Sequence, residues 1–234
     1  MKNLLTNIKV RQAVATFLKG VLAGVCIALG AALFIVASKY THKVFAGLLF
    51  PLGMILVLNF GYFLYTGKIC FLFNHLGRTG NLHYSLQLLF GLLGNLLGAL
   101  LIGISLSFAF KGIEFSLLQT IIDYTRMIVS NKLENNLAQT FVLAMFCNIL
   151  IYFCVDGFAK IENHFAKHLV VILTISAFVI CGFEHSIADM FYIALAGVFS
   201  WDAFLFILVV IAGNTIGGLL VPLIVKLIKF LEKR

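Results

Sequence analysis

Charge is what this sequence has least of. Asp, Glu, Lys and Arg make up 11% of its 234 residues, against about 25% in an ordinary soluble domain. A chain so poor in charge is excluded from the usual soluble class. Proline occurs only twice, and no stretch is rich in Pro, Ser or Gln. Nothing therefore marks a linker, and residues 1–234 read as a single transmembrane domain. The five cysteines (Cys26, Cys70, Cys147, Cys154 and Cys181) fall in apolar stretches and form no Cys-x-x-Cys pair. They read as small apolar fillers, not as a metal site or disulfide frame. No His-Glu-x-x-His or Gly-x-Ser-x-Gly motif occurs, so the chain is not expected to be an enzyme or to carry a metal or cofactor. Neither Pro51 nor Pro222 belongs to an Asn-Pro-Ala motif, which argues against a neutral-solute channel of the aquaporin kind.

What the chain does have is apolar surface. Hydrophobic residues make up 62%, and the mean hydropathy is +1.08. A spanning helix needs about 20 mostly apolar residues, and six such segments are predicted. They are 17–38, a second from residue 44 interrupted near 61–67, 86–110, 137–158, a fifth from residue 168 interrupted at 181–186, and 203–231. A less apolar stretch, 113–131, carries Ile113, Leu117, Leu118, Ile121, Ile122 and Ile128 on one side, and reads as a short helix lying at the membrane interface.

The formal net charge is +8. In a soluble protein that would suggest nucleic acid, but here the charges sit in short loops and tails, so it reads as topology and no nucleic acid is expected. Lys2, Lys9, Arg11, Lys19, Lys68, Arg78, Lys160, Lys167, Lys226, Lys229, Lys233 and Arg234 fall on one side. Lys39, Lys43, Lys111, Arg126 and Lys132 fall on the other. The excess predicts that both termini are cytoplasmic, and the N-terminal run reads as an uncleaved anchor.

Two segments of the chain match each other. Gly94-Asn95-Leu96-Leu97-Gly98-Ala99-Leu100-Leu101 and Gly213-Asn214-Thr215-Ile216-Gly217-Gly218-Leu219-Leu220 share five of eight positions at an offset of 119 residues. The same offset carries Thr66, in the first interruption, onto His185, in the second. The sequence thus reads as an inverted 3+3 repeat with halves 12–111 and 132–231. The glycines also permit close helix approach. Paired interruptions at midmembrane point to a binding site or pore, and their helix N-termini favour an anion. The second interruption holds Gly182-Phe183-Glu184-His185-Ser186. An ionisable group inside a spanning segment is a functional candidate by default, which singles out His185. Glu184 is expected to cap backbone N–H groups of the break.

Taken together, these residues resemble the formate/nitrite transporter family, which includes formate, nitrite and hydrosulfide channels. Gly182-Phe183-Glu184-His185-Ser186 is similar to that family's fifth-helix signature, and Leu64-Tyr65-Thr66-Gly67 to its second-helix loop. Cys147-Asn148, with Lys132 sixteen residues before Asn148, matches the family's spacing of a lysine and an asparagine. The resemblance covers nearly the whole chain. It implies an all-α, aquaporin-like membrane protein of six helices, a homopentamer in a bacterial cytoplasmic (inner) membrane, and one pore per protomer for a small monovalent anion. His185 is implied as the central pore histidine, with Asn148 and Thr66 as its polar neighbours. Lys132 is implied as the lysine of the outer approach. Phe50 and Phe178 are implied at the outer constriction, and Leu64 at the inner one with Met54 and Ile151. Gly182 and Gly67 are implied as structural residues of the breaks. The sequence departs from the pattern at Phe63, where formate and nitrite channels usually carry an acid, and at Tyr65 and Lys68, which leaves room for hydrosulfide. The family's anions are conjugate bases of weak acids. A proton handled at His185, whose reference pKa lies near 6.5, would let them cross apolar rings as neutral acids.

Overall fold

The computed structural model describes residues 8–75, 81–111 and 116–232, and every regular element among them is helical. Lys2, Arg78, Ile113, Lys233 and Arg234, together with the side chains of Lys9, Lys111, Leu117 and Leu118, lie outside the described residues. In chain order the elements are α1 (Ile8–Tyr40), α2 (Lys43–Gly47), α3 (Pro51–Asn59), α4 (Tyr65–Lys68), a 3-10 segment (Ile69–Asn74), α5 (Asn81–Lys111), α6 (Ser116–Leu133), α7 (Leu137–Lys160), α8 (His164–Cys181), α9 (Ser186–Ala196) and α10 (Trp201–Leu231). Five of these helices (α1, α5, α7, α8 and α10) are long and apolar enough to cross a membrane. The chain is an all-α, multi-pass membrane protein.

The remaining predicted span is broken twice rather than once. Pro51 has no N–H to continue a helix from α2, and α3 starts there with Phe50 at its N-cap. The expected second break follows at Phe60–Leu64. The fifth span divides as predicted, into α8, a break at Gly182–His185, and α9. α6 does not rest its apolar side on lipid. Ile121, Ile122, Thr125 and Val129 are buried in the protein, and the helix packs on α9, α5 and α1. Asp123 and Arg126 form its surface ion pair at 3.0 Å.

α1 packs most extensively on α5, and α7 on α10. Glycines explain the closeness of both pairs. A Cβ at Gly98 would collide with the Val21 carbonyl oxygen, and one at Gly217 with the Met145 carbonyl oxygen. Small residues matter here because lipid supplies no hydrophobic force to press two helices together. Leu22, Leu29 and Leu33 on α1 and Leu220, Leu223 and Leu227 on α10 remain exposed. These surfaces are available to lipid.

The two breaks are built alike. In each, a glycine adopts a left-handed backbone, Gly61 at φ +66° and Gly182 at φ +73°, a conformation that other residues adopt only at a cost. In each, a fully buried asparagine closes the exposed backbone groups. Asn95 Oδ1 accepts from the Tyr65 N–H at 2.7 Å, and its Nδ2 donates to Phe63 O at 2.8 Å and Gly20 O at 2.9 Å. Asn214 Oδ1 accepts from the Ser186 N–H at 3.0 Å, and its Nδ2 donates to Glu184 O and Ala144 O, both at 2.9 Å. An unpaired backbone group in hydrocarbon costs several kcal/mol, so each amide is what makes its break tolerable.

This pattern corrects the register read from the sequence. Gly61, Phe63, Leu64 and Tyr65 correspond to Gly182, Glu184, His185 and Ser186. The offset in the breaks is thus 121, not 119, and the counterpart of His185 is Leu64. Thr66 meets His185 without being its equivalent.

Candidate functional site

His185 sits at the N-cap of α9, in an extended conformation, and its Nδ1 accepts from the Ala188 N–H at 3.3 Å. With Nδ1 occupied as an acceptor, the neutral ring carries its proton on Nε2. Nε2 lies 3.0 Å from Thr66 Oγ1, so the ring donates there, and the Thr66 hydroxyl keeps a proton of its own to give. Asn148 Nδ2 donates to the Thr66 carbonyl oxygen at 3.0 Å, while its Oδ1 is buried without a protein partner. Asn148 therefore supports His185 through the Thr66 backbone and not by direct contact. The predicted trio comes together, with each side chain 2% exposed or less.

One cavity is bordered by His185 and another by Gly67, the neighbour of Thr66. The first, about 280 Å³, is lined by Phe50, Phe178, His185, Lys132, Lys43 and Asp189 among others. The Phe178 ring lies nearly parallel to the imidazole, with centroids 5.8 Å apart, and meets Phe50 edge-on at 5.5 Å. The second cavity, about 180 Å³, is lined by Met54, Leu64, Gly67, Lys68, Phe71 and Phe158 among others. The aromatic pair thus lines the cavity that His185 borders, and the Leu64–Met54 pair lines the other. Ile151 is fully buried but lines neither cavity.

Glu184 does not cap the break. Its side chain pairs with Lys132, and the backbone N–H groups it was expected to cap are taken by His185 Nδ1 and Asn214 Oδ1. Lys132 also pairs with Asp189 Oδ1 at 3.1 Å. This ammonium is therefore not a free positive charge at the approach, because two carboxylates face it. Lys43, at the start of α2, lines the same cavity. The sequence reading missed Asp189, although the signal was available. It is an acid inside a spanning segment, four residues after His185 and hence on the same helical face. Among the described residues no group of three or more His, Cys, Asp or Glu side chains could hold a metal ion.

Residues 4–228 match the family described as "Formate/nitrite transporter". The chain is 26% identical over 194 residues to the formate channel FocA of Haemophilus influenzae, covering 77% of this chain and 66% of that protein. It is 30% identical over 177 residues to the uncharacterized transporter YrhG of Bacillus subtilis, covering 72% and 65%. A formate-nitrite transporter of Plasmodium knowlesi is 27% identical over 186 residues, covering 75% and 59%. The chain thus spans just under two thirds of the length of the first two relatives. Among solved structures, a pentameric formate channel with formate bound superposes with a TM-score of 0.77 at 23% identity, covering 94% of this chain and 97% of that one. An FNT family ion channel gives 0.76 at 20%, covering 94% and 96%. These two likenesses establish the fold.

Proposed function

The chain belongs to the formate/nitrite transporter family, and on that premise we propose that it is a channel or transporter for small monovalent anions of weak acids, namely formate, nitrite or hydrosulfide. The observation that carries this reading is the buried polar trio His185, Thr66 and Asn148, whose imidazole borders a cavity it shares with the Phe50–Phe178 pair, while Leu64 and Met54 line a second cavity. A bare ion in such a place faces a desolvation cost of several kcal/mol. A neutral acid does not, and its O–H or S–H finds the unpartnered Asn148 Oδ1 as acceptor. The Thr66 hydroxyl, which accepts from His185 Nε2–H and keeps its own proton, supplies a donor to the other end of the permeant. Phe50 with Phe178 and Leu64 with Met54 are the two constrictions, Ile151 buttresses the inner one, and Gly61, Gly67 and Gly182 shape the backbone around them.

In this reading one domain, built of the halves 12–111 and 132–231, forms one pore, and five copies assemble with a pore in each. The termini face the cytoplasm of a bacterial inner membrane, which makes the Lys132 cavity the outer vestibule and the Lys68 cavity the inner one. The site assembles no nucleophile with a base and an orienting partner, and transport, not catalysis, is the reading the residues support.

Uptake of the three anions into proteoliposomes, followed across pH, tests the proposal. The flux is expected to rise as the external pH falls, because each unit down gives about ten times more neutral acid. His185→Ala should lower the flux and alter that response. A His185→Ala protein that moves all three anions at the wild-type rate with an unchanged pH response removes the histidine from the mechanism.

A further inference from the structure

Asp189 is the buried charge that the transport reading leaves unused. It shares a helical face with His185 and lines the same cavity. Its side chain is 2% exposed, as is that of Glu184. Oδ1 meets Lys132, while Oδ2 is buried and has no hydrogen-bond partner. Lys132, on α6, is shared with Glu184 of the break. The other titratable groups facing this cluster are the phenol of Tyr192 on α9, over whose ring Lys132 Nζ sits at 5.9 Å, Tyr124 on α6, the Cys147 thiol on α7, His185, and Lys43 at the cavity wall. Among the described residues no second cation pairs with either carboxylate.

The charge count is therefore uneven. Two ionised carboxylates around one ammonium leave a net charge of −1 in a region almost closed to water, and an unbalanced buried charge is costly. One proton makes the cluster neutral. Both carboxylates pair with Lys132, and Asp189 is the one with an oxygen to spare and a place on the cavity wall. An ionised Oδ2 has no donor, whereas a proton there lies beside the Glu184 carboxylate and at the wall of the cavity.

We propose that Asp189 is a proton-binding site of the Lys132-side vestibule, and that it passes its proton to the anion that enters there. This rests on the transport reading above. The O–H bond of the Asp189 carboxyl breaks as an O–H or S–H bond forms on the anion. The permeant moves on toward His185 as the neutral acid. Asp189 remains as carboxylate, the cluster is left at −1, and water in the vestibule returns the proton. Until it does, the negative cluster repels a second bare anion, which ties each anion to one proton.

Two readouts on the full-length protein test this. The first is an infrared titration of the reconstituted wild type. It should show a protonated-carboxyl C=O band that is absent from Asp189→Asn and from Glu184→Gln, since either variant leaves Lys132 with a single carboxylate. The second is formate uptake. Asp189→Asn should lower it about tenfold near neutral external pH, but less than about twofold at acidic pH, where bulk water supplies formic acid directly, within the range of general-acid effects. Glu184→Gln should show the same loss near neutral pH, because Asp189 then stays ionised against Lys132. Wild-type uptake by Asp189→Asn at both pH values overturns the proposal, as does a carboxyl band that persists undiminished in that variant. If the wild type moves none of the three anions while its band titrates and vanishes in Asp189→Asn, the proton site stands and the transport reading falls. An Asp189→Asn protein that elutes as an aggregate leaves the wild-type band and Glu184→Gln to decide, and absence of the band in the wild type overturns the site.

Discussion

Replacing either clamp asparagine with leucine should destabilise the protein by the same amount, and that amount can be worked from the hydrogen bonds. Asn214→Leu keeps the volume and removes three bonds. Ala144 O lies inside α7 and retains its intrahelical partner, so it loses only a second, supplementary bond. The Ser186 N–H and Glu184 O lie in the break and are left unpaired. Two orphaned buried groups cost about 1–3 kcal/mol each, hence about 2–6 kcal/mol together. Asn95→Leu orphans the Tyr65 N–H and Phe63 O, while Gly20 O stays bonded within α1. The expected loss is again about 2–6 kcal/mol, out of a total stability of about 5–15 kcal/mol. For a chain of this length each kcal/mol lowers the midpoint by about 2–4 °C. Thermal unfolding in detergent, followed by the loss of the folded peak in gel filtration, should therefore drop by roughly 5–20 °C for both variants. A loss below about 1 kcal/mol in either variant, or a large loss in only one, refutes the claim that these amides close the breaks.

Three further outcomes follow from the same contacts. Lys132→Met leaves two buried carboxylates without their cation and should destabilise by about 3–5 kcal/mol, with most of that recovered in the Lys132→Met, Glu184→Gln, Asp189→Asn triple variant; thermal unfolding of the set reads the difference. Gly98→Leu and Gly217→Leu should both abolish the folded protein on gel filtration, because a side chain there drives into a carbonyl of the neighbouring helix. Cys181 is exposed in the single chain and the other four cysteines are buried, so a thiol reagent should label one thiol per chain of the folded protein in detergent and all five after denaturation; native labelling of more than one refutes this packing.

Much of the architecture was legible because lipid imposes it. The runs that became α1, α5, α7 and α10 had to be long and apolar, and their ends fell within several residues of expectation except at α1, which begins nine residues earlier than the apolar run. His185 and Gly182 were legible because a histidine and a break inside a span both need a reason. The extra break before Pro51 was missed because one proline in an apolar run does not say which neighbours will satisfy the freed groups. The two-residue slip between 119 and 121 was hidden for a similar reason. The match that revealed the repeat lies in α5 and α10, and the chain between break and helix absorbs a length difference that those helices cannot report. Glu184 was read as a cap because capping is a local habit of acids near helix starts. Its real partner, Lys132, lies 52 residues earlier and comes beside it only when α6 docks on α9. Asp189 obeyed the same rule that exposed His185 and should have been taken with it.

Leu64 and His185 begin matching half-helices from matching corners, yet one is greasy and the other is an imidazole. A pore assembled from two identical short peptides could never manage that, since any change at one corner would be copied at the other. It would have to choose between two imidazoles and two plugs. Carrying both corners on a single polypeptide frees them to diverge, and gives the passage a front and a back that its framework alone does not have.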